Sequence, residues 1–81
     1  MTYHLLAVKV TQRVQTAKRV QELLTEHGCG IKVRLGIHDQ PANACSPDGL
    51  IVLQLTDAQA GGALAAALNR EDGVTAQFLS L

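Results

Sequence analysis

The stretch Ile31–Leu55, IKVRLGIHDQPANACSPDGLIVLQL, decides the fold of this chain. Residues 31–37 alternate between apolar and polar side chains, a pattern that predicts a strand with one buried face. Residues 49–55 form a nearly continuous apolar run, typical of a central strand that is covered on both faces. Residues 39–48 lie between them and contain both prolines of the chain. They predict a long polar loop, and such a loop in a small domain is often functional.

Composition limits the classes of protein to which the chain can belong. Its 81 residues predict a single domain over 1–81, and 47% apolar residues are enough for a two-layer core. Lys plus Arg equals Asp plus Glu, with seven of each. A neutral chain lacks the basic surface that drives nucleic-acid binding, so we expect no direct contact with nucleic acid.

The sequence predicts a cytoplasmic protein with reduced thiols. No apolar run approaches the ~20 residues of a membrane span, and the N-terminus shows no signal peptide. Cys29 and Cys45 flank the strand at residues 31–37. An extended strand separates such positions by roughly 30 Å, so we expect no disulfide between them.

The segments around the central stretch complete a βαββαβ pattern. Gly28 is expected to end the first helix in a left-handed conformation, and Thr56 with Gln59 forms a capping box that starts the second. The predicted elements are a strand at Tyr3–Val10, a helix at Arg13–His27, a helix from Thr56 to about Arg70, and a strand at Val74–Leu81.

This order predicts an α+β, ferredoxin-like βαββαβ sandwich. Its antiparallel sheet has the strand order 4-1-3-2, and both helices cover one face. Alternation along the strands then assigns one set of apolar residues to the helix-covered side. These residues are Leu6, Val8, Val10, Ile31, Val33, Leu35, Ile37, Ile51, Leu53, Leu55, Val74, Ala76 and Phe78.

The same alternation predicts an apolar stripe on the uncovered face of the sheet. Leu5, Ala7, Leu50 and Val52 form this stripe, and Leu79 extends it. More polar residues surround it in the prediction, namely Lys32, Arg34, Thr75 and Gln77. An apolar centre with a polar rim is the layout of a protein interface, which predicts a homo-oligomer, either a dimer or a tetramer.

Several motifs resemble the small iron-only hydrogenase system regulators. They are Val20-x-x-Leu23-Leu24-x-x-His27-Gly28, Ile31-x-Val33-Arg34-Leu35-Gly36-Ile37, Cys45-Ser46-x-x-Gly49-Leu50-Ile51 and Gly73-Val74. The resemblance covers practically the whole chain. It implies an ACT-like domain, a non-enzymatic regulatory module that oligomerises, often binds an effector and is linked to a hydrogenase system.

A second ACT-like relative, the metal-binding domain of nickel-responsive regulators, resembles the chain around the central loop. His38 and Cys45 lie at positions comparable to metal ligands of that domain, whereas Gly36 stands where another His is expected. Imidazole and thiolate are suitable ligands for zinc or nickel. A complete site would need further ligands, from a neighbouring subunit or from Asp39 or Asp48. The alternative is a free thiol and a histidine in a polar loop.

An effector site is predicted at the end of the sheet where the central loop meets the turn after the first strand. Thr11, Gln12 and Arg13 form that turn, and loops on a rigid scaffold often carry binding sites. Arg34 is a further candidate for contacting an anionic effector, with an interface or edge contact as its alternative. No Ser/His/Asp arrangement, phosphate loop or carboxylate pair indicates catalysis. The competing function is a pure protein–protein adaptor.

Overall fold

The chain follows the predicted order of strands and helices. The computed structural model describes residues 1–11, 14–37 and 48–81. A short 3-10 turn at Gly28–Gly30 connects the first helix to the second strand. The elements are β1 (His4–Thr11), α1 (Val14–Glu26), β2 (Ile31–Ile37), β3 (Asp48–Leu55), α2 (Ala58–Asn69) and β4 (Val74–Ser80).

The strands form one antiparallel sheet with the order β2-β3-β1-β4. Read from the other edge, this is the predicted order 4-1-3-2, so the ferredoxin-like fold is confirmed. β1 lies centrally and pairs through Leu6 with Leu53 on one side and with Phe78 on the other. Residues that pair across neighbouring strands lie on the same face of the sheet, so the register assigns each strand residue to a face.

The core lies between the sheet and the two helices. Most of the predicted helix-side residues are there, including Leu6, Val8 and Leu53, each with no exposed surface. Ile31, Ile51 and Phe78 pack against this core and are partly buried. The buried apolar residues are Leu6, Val8, Val10, Val20, Leu23, Leu24, Leu53, Leu55, Leu64, Leu68, Val74 and Ala76.

An irregularity near the start of β2 changes the face to which this strand's side chains point. Ile31 pairs with Leu55, but the next registered pair is Val33 with Gln54. One additional residue, Lys32, therefore lies on β2 between two consecutive positions of β3. An extra residue of this kind is a β-bulge, and it inverts the alternation of every residue that follows it in the strand.

The prediction for the rest of β2 is consequently wrong. Leu35 pairs with Val52 and Ile37 pairs with Leu50, so these side chains lie on the uncovered face rather than in the core. Val33 and Leu35 are 52% and 55% exposed. A strict period of two predicts the faces only in the absence of a bulge, and nothing in the alternating sequence marks its position.

The end of α1 also differs from the prediction. Among the described residues only Gly73 has a positive φ, at 79°, so Gly28 is not in the predicted left-handed conformation. The chain instead passes from His27 into the 3-10 turn, where the N–H of Gly30 donates to the carbonyl of His27 at 2.9 Å. This turn satisfies a carbonyl at the helix end without a left-handed glycine.

The N-cap of α2 lies one residue later than predicted. Asp57 is the cap, and its Oδ1 accepts a hydrogen bond from the N–H of Ala60 at 2.7 Å. The backbone of Thr56 instead binds the 3-10 turn before β2, because its N–H donates to the carbonyl of Gly30 at 2.9 Å. Threonine and aspartate are both good N-cap residues, so the local sequence does not choose between them.

Candidate functional site

The predicted interface residues share the uncovered face of the sheet. Ala7 pairs with Val52, and Leu5 lies two residues before Ala7 on β1. Leu50 lies on β3 in register with Ile37. The structure thus brings these residues together on one surface, and their role as an interface stays a prediction.

The bulge in β2 makes this apolar surface wider than predicted. Leu35, Leu79 and Leu50 are 55%, 44% and 39% exposed, which is unusual for large apolar side chains on one side of one sheet. We call this surface the open face. Its apolar residues are Leu5, Ala7, Val33, Leu35, Ile37, Leu50, Val52 and Leu79.

Polar residues border the open face mainly on the side of β1 and β4. Lys9 pairs with Thr75, and Gln77 lies beside Ala7. After the bulge, the register assigns two charged residues to this face, Lys9 on β1 and Asp48 at the first position of β3. The surface is therefore nearly neutral at its centre, as in the cores of protein interfaces.

Arg34 lies on the opposite side of the sheet from its predicted position. It pairs with the buried Leu53, and its Nη2 donates to Oε1 of Gln21 in α1 at 2.7 Å. The prediction that Arg34 lies on the open face is wrong because the bulge at Lys32 inverts its direction. This side chain bridges β2 and α1 on the helix-covered side.

A cleft of about 210 Å³ lies beside this bridge, between α1 and the β2–β3 half of the sheet. We call it the Arg34 cleft. Ala17 and Val20 of α1 form its apolar wall, and Gly36 with Gly49 contributes to its floor. The cleft exists because α1 leaves β2 uncovered: Arg34 and Gly36 lie on the helix-covered side of this strand and are nevertheless exposed.

Glycine keeps the floor of the Arg34 cleft open. Gly36 pairs with Ile51 and so faces the helix-covered side. A Cβ placed at Gly36 would meet no atom of the described residues within 4 Å. A glycine inside a strand often marks the close approach of a ligand or of another backbone. Gly36 and Gln21 were not predicted as site residues, and the in-strand glycine is the sequence signal that indicates this cleft.

The end of the sheet where the effector site is predicted also carries the turn before β4, whereas the central loop expected to meet Thr11 there lies outside the described residues. The N–H of Thr11 donates to the carbonyl of Gly73 at 2.8 Å, and Thr16 Oγ1 lies 3.5 Å from the carbonyl of Asp72. These four residues line a second cleft of about 300 Å³. Thr11 and Arg34 line different clefts, so the structure does not assemble them into one site.

Several predicted site residues lie outside the described part of the chain. Gln12 and Arg13 of the effector turn belong to this group, as do His38 and Cys45 of the predicted metal site. Within residues 1–11, 14–37 and 48–81, no group of three or more His, Cys, Asp or Glu side chains is positioned to hold a metal ion. Cys29 in the same ranges is an exposed free thiol.

The helices of the described ranges are too short or too polar to cross a membrane.

No protein-family model and no curated protein sequence matches the chain. Solved structures do match over its full length. An uncharacterized protein from Thermotoga maritima superposes with a TM-score of 0.81 at 28% sequence identity, covering 100% of this chain and 99% of that one. Because that protein is uncharacterized, the link to a hydrogenase system rests on the sequence resemblance alone.

Two further matches are structures of CPII, a nitrogen regulatory PII-like protein from Thiomonas intermedia K12. The apo form has a TM-score of 0.69 at 10% identity, covering 100% of this chain and 90% of that one. The form bound to ADP, AMP and bicarbonate has a TM-score of 0.65 at 11% identity, covering 100% of this chain and 93% of that one. The chain therefore has a ferredoxin-like fold that it shares with PII-like proteins.

Proposed function

We propose that this chain is a non-enzymatic regulatory domain that assembles into a homo-oligomer through its open face and responds to a small effector. The observation that carries the proposal is the open face itself, which extends across all four strands. Its large apolar side chains include Leu35 and Leu79, which stay 55% and 44% exposed in a single chain. A second copy of the chain would remove this surface from water.

The dimensions of the open face support a self-association of moderate strength. Four strands spaced ~4.8 Å apart, with strand lengths of about 25 Å, give a projected area of roughly 500 Å² per copy. Two copies would bury about 1,000 Å², close to the lower limit for a specific interface. We therefore expect an oligomer whose population depends on protein concentration.

Size-exclusion chromatography with light scattering tests this assembly. Leu35→Asp places a charge on the open face at an edge strand, where the exposed side chain contributes little to the core. We expect this variant to be monomeric and folded. Ala66→Asp is the matched control, because it introduces the same charge at an exposed position of α2 on the other side of the molecule.

Val52→Asp is the second test, at a central strand of the same face. It should also dissociate the oligomer, while Ala66→Asp should keep the mass of the wild-type assembly. A wild-type chain that is monomeric at tens of micromolar contradicts the proposed assembly. So does an oligomer that persists in both open-face variants.

An effector-sensing role is supported by the fold, by the Arg34 cleft and by the cleft at the end of the sheet beside Thr11. CPII, which shares the fold, has been solved with ADP, AMP and bicarbonate bound. The turn at Thr11, Gln12 and Arg13 and the cleft at Arg34 are the proposed places where this chain binds an effector. A thermal-shift screen against nucleotides, amino acids and small anions tests the proposal, and a screen without any shift favours a protein–protein adaptor.

The resemblance to iron-only hydrogenase system regulators supports a finer proposal, that the regulated partner belongs to such a system. Comparing hydrogenase activity in cells with and without the chain tests it. The soft-metal alternative at His38 and Cys45 remains a prediction. Its test is the metal content of untagged wild-type protein beside that of Cys45→Ser.

A further inference from the structure

We propose that the Arg34 cleft binds a small organic anion with an aliphatic body and a carboxylate head, and that this compound class is the effector. The inference rests on the proposed function, which it deepens by naming the ligand chemistry. Arg34 would bind the carboxylate, and the apolar wall on α1 would contact the aliphatic part. Gln21 would act as a positioning residue for the guanidinium.

The charge around Arg34 supports an anionic ligand. Its Nη2 donates to the neutral amide oxygen of Gln21, and the described ion pairs of the chain involve Arg19 rather than Arg34. Arg19 has carboxylate oxygens of Glu22 and Glu26 at 3.2 and 3.6 Å. A guanidinium carries five N–H donors in a planar fork. The hydrogen bond to Gln21 orients the guanidinium and uses one of its N–H donors. The remaining donors have the geometry to bind both oxygens of a carboxylate.

The lining of the cleft indicates the rest of the ligand. The described lining is mostly apolar, and Ala17 and Ile51 are only partly buried, which favours an aliphatic body. Among the described residues that line it, Arg34 is the only charged one, so the described lining offers a partner to a carboxylate and none to an ammonium group. This disfavours zwitterionic amino acids and favours a simple carboxylate.

The volume of the cleft limits the size of the ligand. At about 210 Å³ it lies below the ~300–1,000 Å³ of pockets for drug-sized ligands. A short branched carboxylate matches a space of this size.

Two-dimensional ¹⁵N NMR with four related compounds tests the proposal. Isovalerate has the predicted carboxylate and aliphatic body, valine adds only an ammonium group, isovaleramide removes only the charge, and inorganic phosphate removes the aliphatic body. We expect isovalerate to shift the amide resonances of Gly36 and Gly49 in the floor. The resonances of Gly62 on α2 serve as an internal control.

Two variants test the chemistry separately. Arg34→Gln removes the charge and should weaken isovalerate binding about fivefold to tenfold. Gly36→Val keeps the charge and fills the floor, where a Cβ meets no atom of the described residues within 4 Å, so the variant should fold and lose binding. Circular dichroism and thermal unfolding show whether each variant is folded.

Three results would overturn the proposal. They are the absence of shifts at Gly36 and Gly49 with isovalerate, equal binding of isovaleramide or phosphate, and unchanged binding by folded Arg34→Gln protein. The assembly is measured in the same samples by light scattering. A monomer that binds isovalerate contradicts the proposed assembly but agrees with the proposed ligand of the Arg34 cleft. An oligomer that binds none of the compounds contradicts the proposed ligand but agrees with the assembly.

Discussion

Gly61 of α2 packs directly against the aromatic ring of Phe78 on β4. A Cβ built at Gly61 would overlap Cε1 and Cδ1 of that ring and would lie 3.1 Å from Cζ. Replacing a glycine by alanine inside a helix normally stabilises the helix by about 1 kcal/mol. Forcing an additional methyl group into a packed contact opposes this gain by about 1–3 kcal/mol. We therefore expect Gly61→Ala to be destabilising or at best neutral.

Gly62→Ala is the matched control on the same helix, because a Cβ there meets no atom within 4 Å. The gain in helix propensity is the same in both variants. The difference between their free energies of unfolding therefore isolates the steric contribution of about 1–3 kcal/mol. Urea unfolding at equilibrium measures both free energies of unfolding. For a domain of this size each kcal/mol also shifts Tm by about 4–8 °C.

A double-mutant cycle identifies the ring as the cause of the difference. Phe78→Leu removes the flat ring that opposes Gly61, so Gly61→Ala should cost much less in that background than in the wild type. The reasoning is refuted if Gly61→Ala stabilises the protein as much as Gly62→Ala does. An equal penalty in both backgrounds would also refute it.

Three other predictions concern the attachment of α2. Asp57→Ala should lower the free energy of unfolding by about 0.5–2 kcal/mol and Thr56→Ala by less, as measured by urea unfolding, because Asp57 is the N-cap. Asn69 accepts from the N–H of Ala76 at 2.8 Å and donates to its carbonyl at 2.9 Å. Asn69→Leu should therefore cost about 1–3 kcal/mol and speed amide hydrogen exchange at Ala76, and unchanged exchange would contradict this role. Leu64→Ala should cost about 2–5 kcal/mol in the same assay, because this side chain is fully buried.

The order of elements and most of the core were predictable from the residue pattern alone. The alternation of Leu6, Val8 and Val10 predicts a strand, and the capping residues near Thr56 predict the start of α2 within one position. These are local properties, because hydrophobic periodicity and capping depend on residues close together in the sequence. The βαββαβ order then leaves few sheet topologies, and the predicted one is present.

The faces of β2 and the candidate site were decided by the tertiary structure. A single additional residue at Lys32 turns Leu35 to the open face and Arg34 to the helix side, against the period of the sequence. A bulge depends on how a strand pairs with its neighbour, and an alternating sequence is compatible with either register. The Arg34 cleft likewise depends on how far α1 reaches over β2. The position of α1 over the sheet is set by packing between elements that are remote in sequence, and no local sequence pattern specifies it.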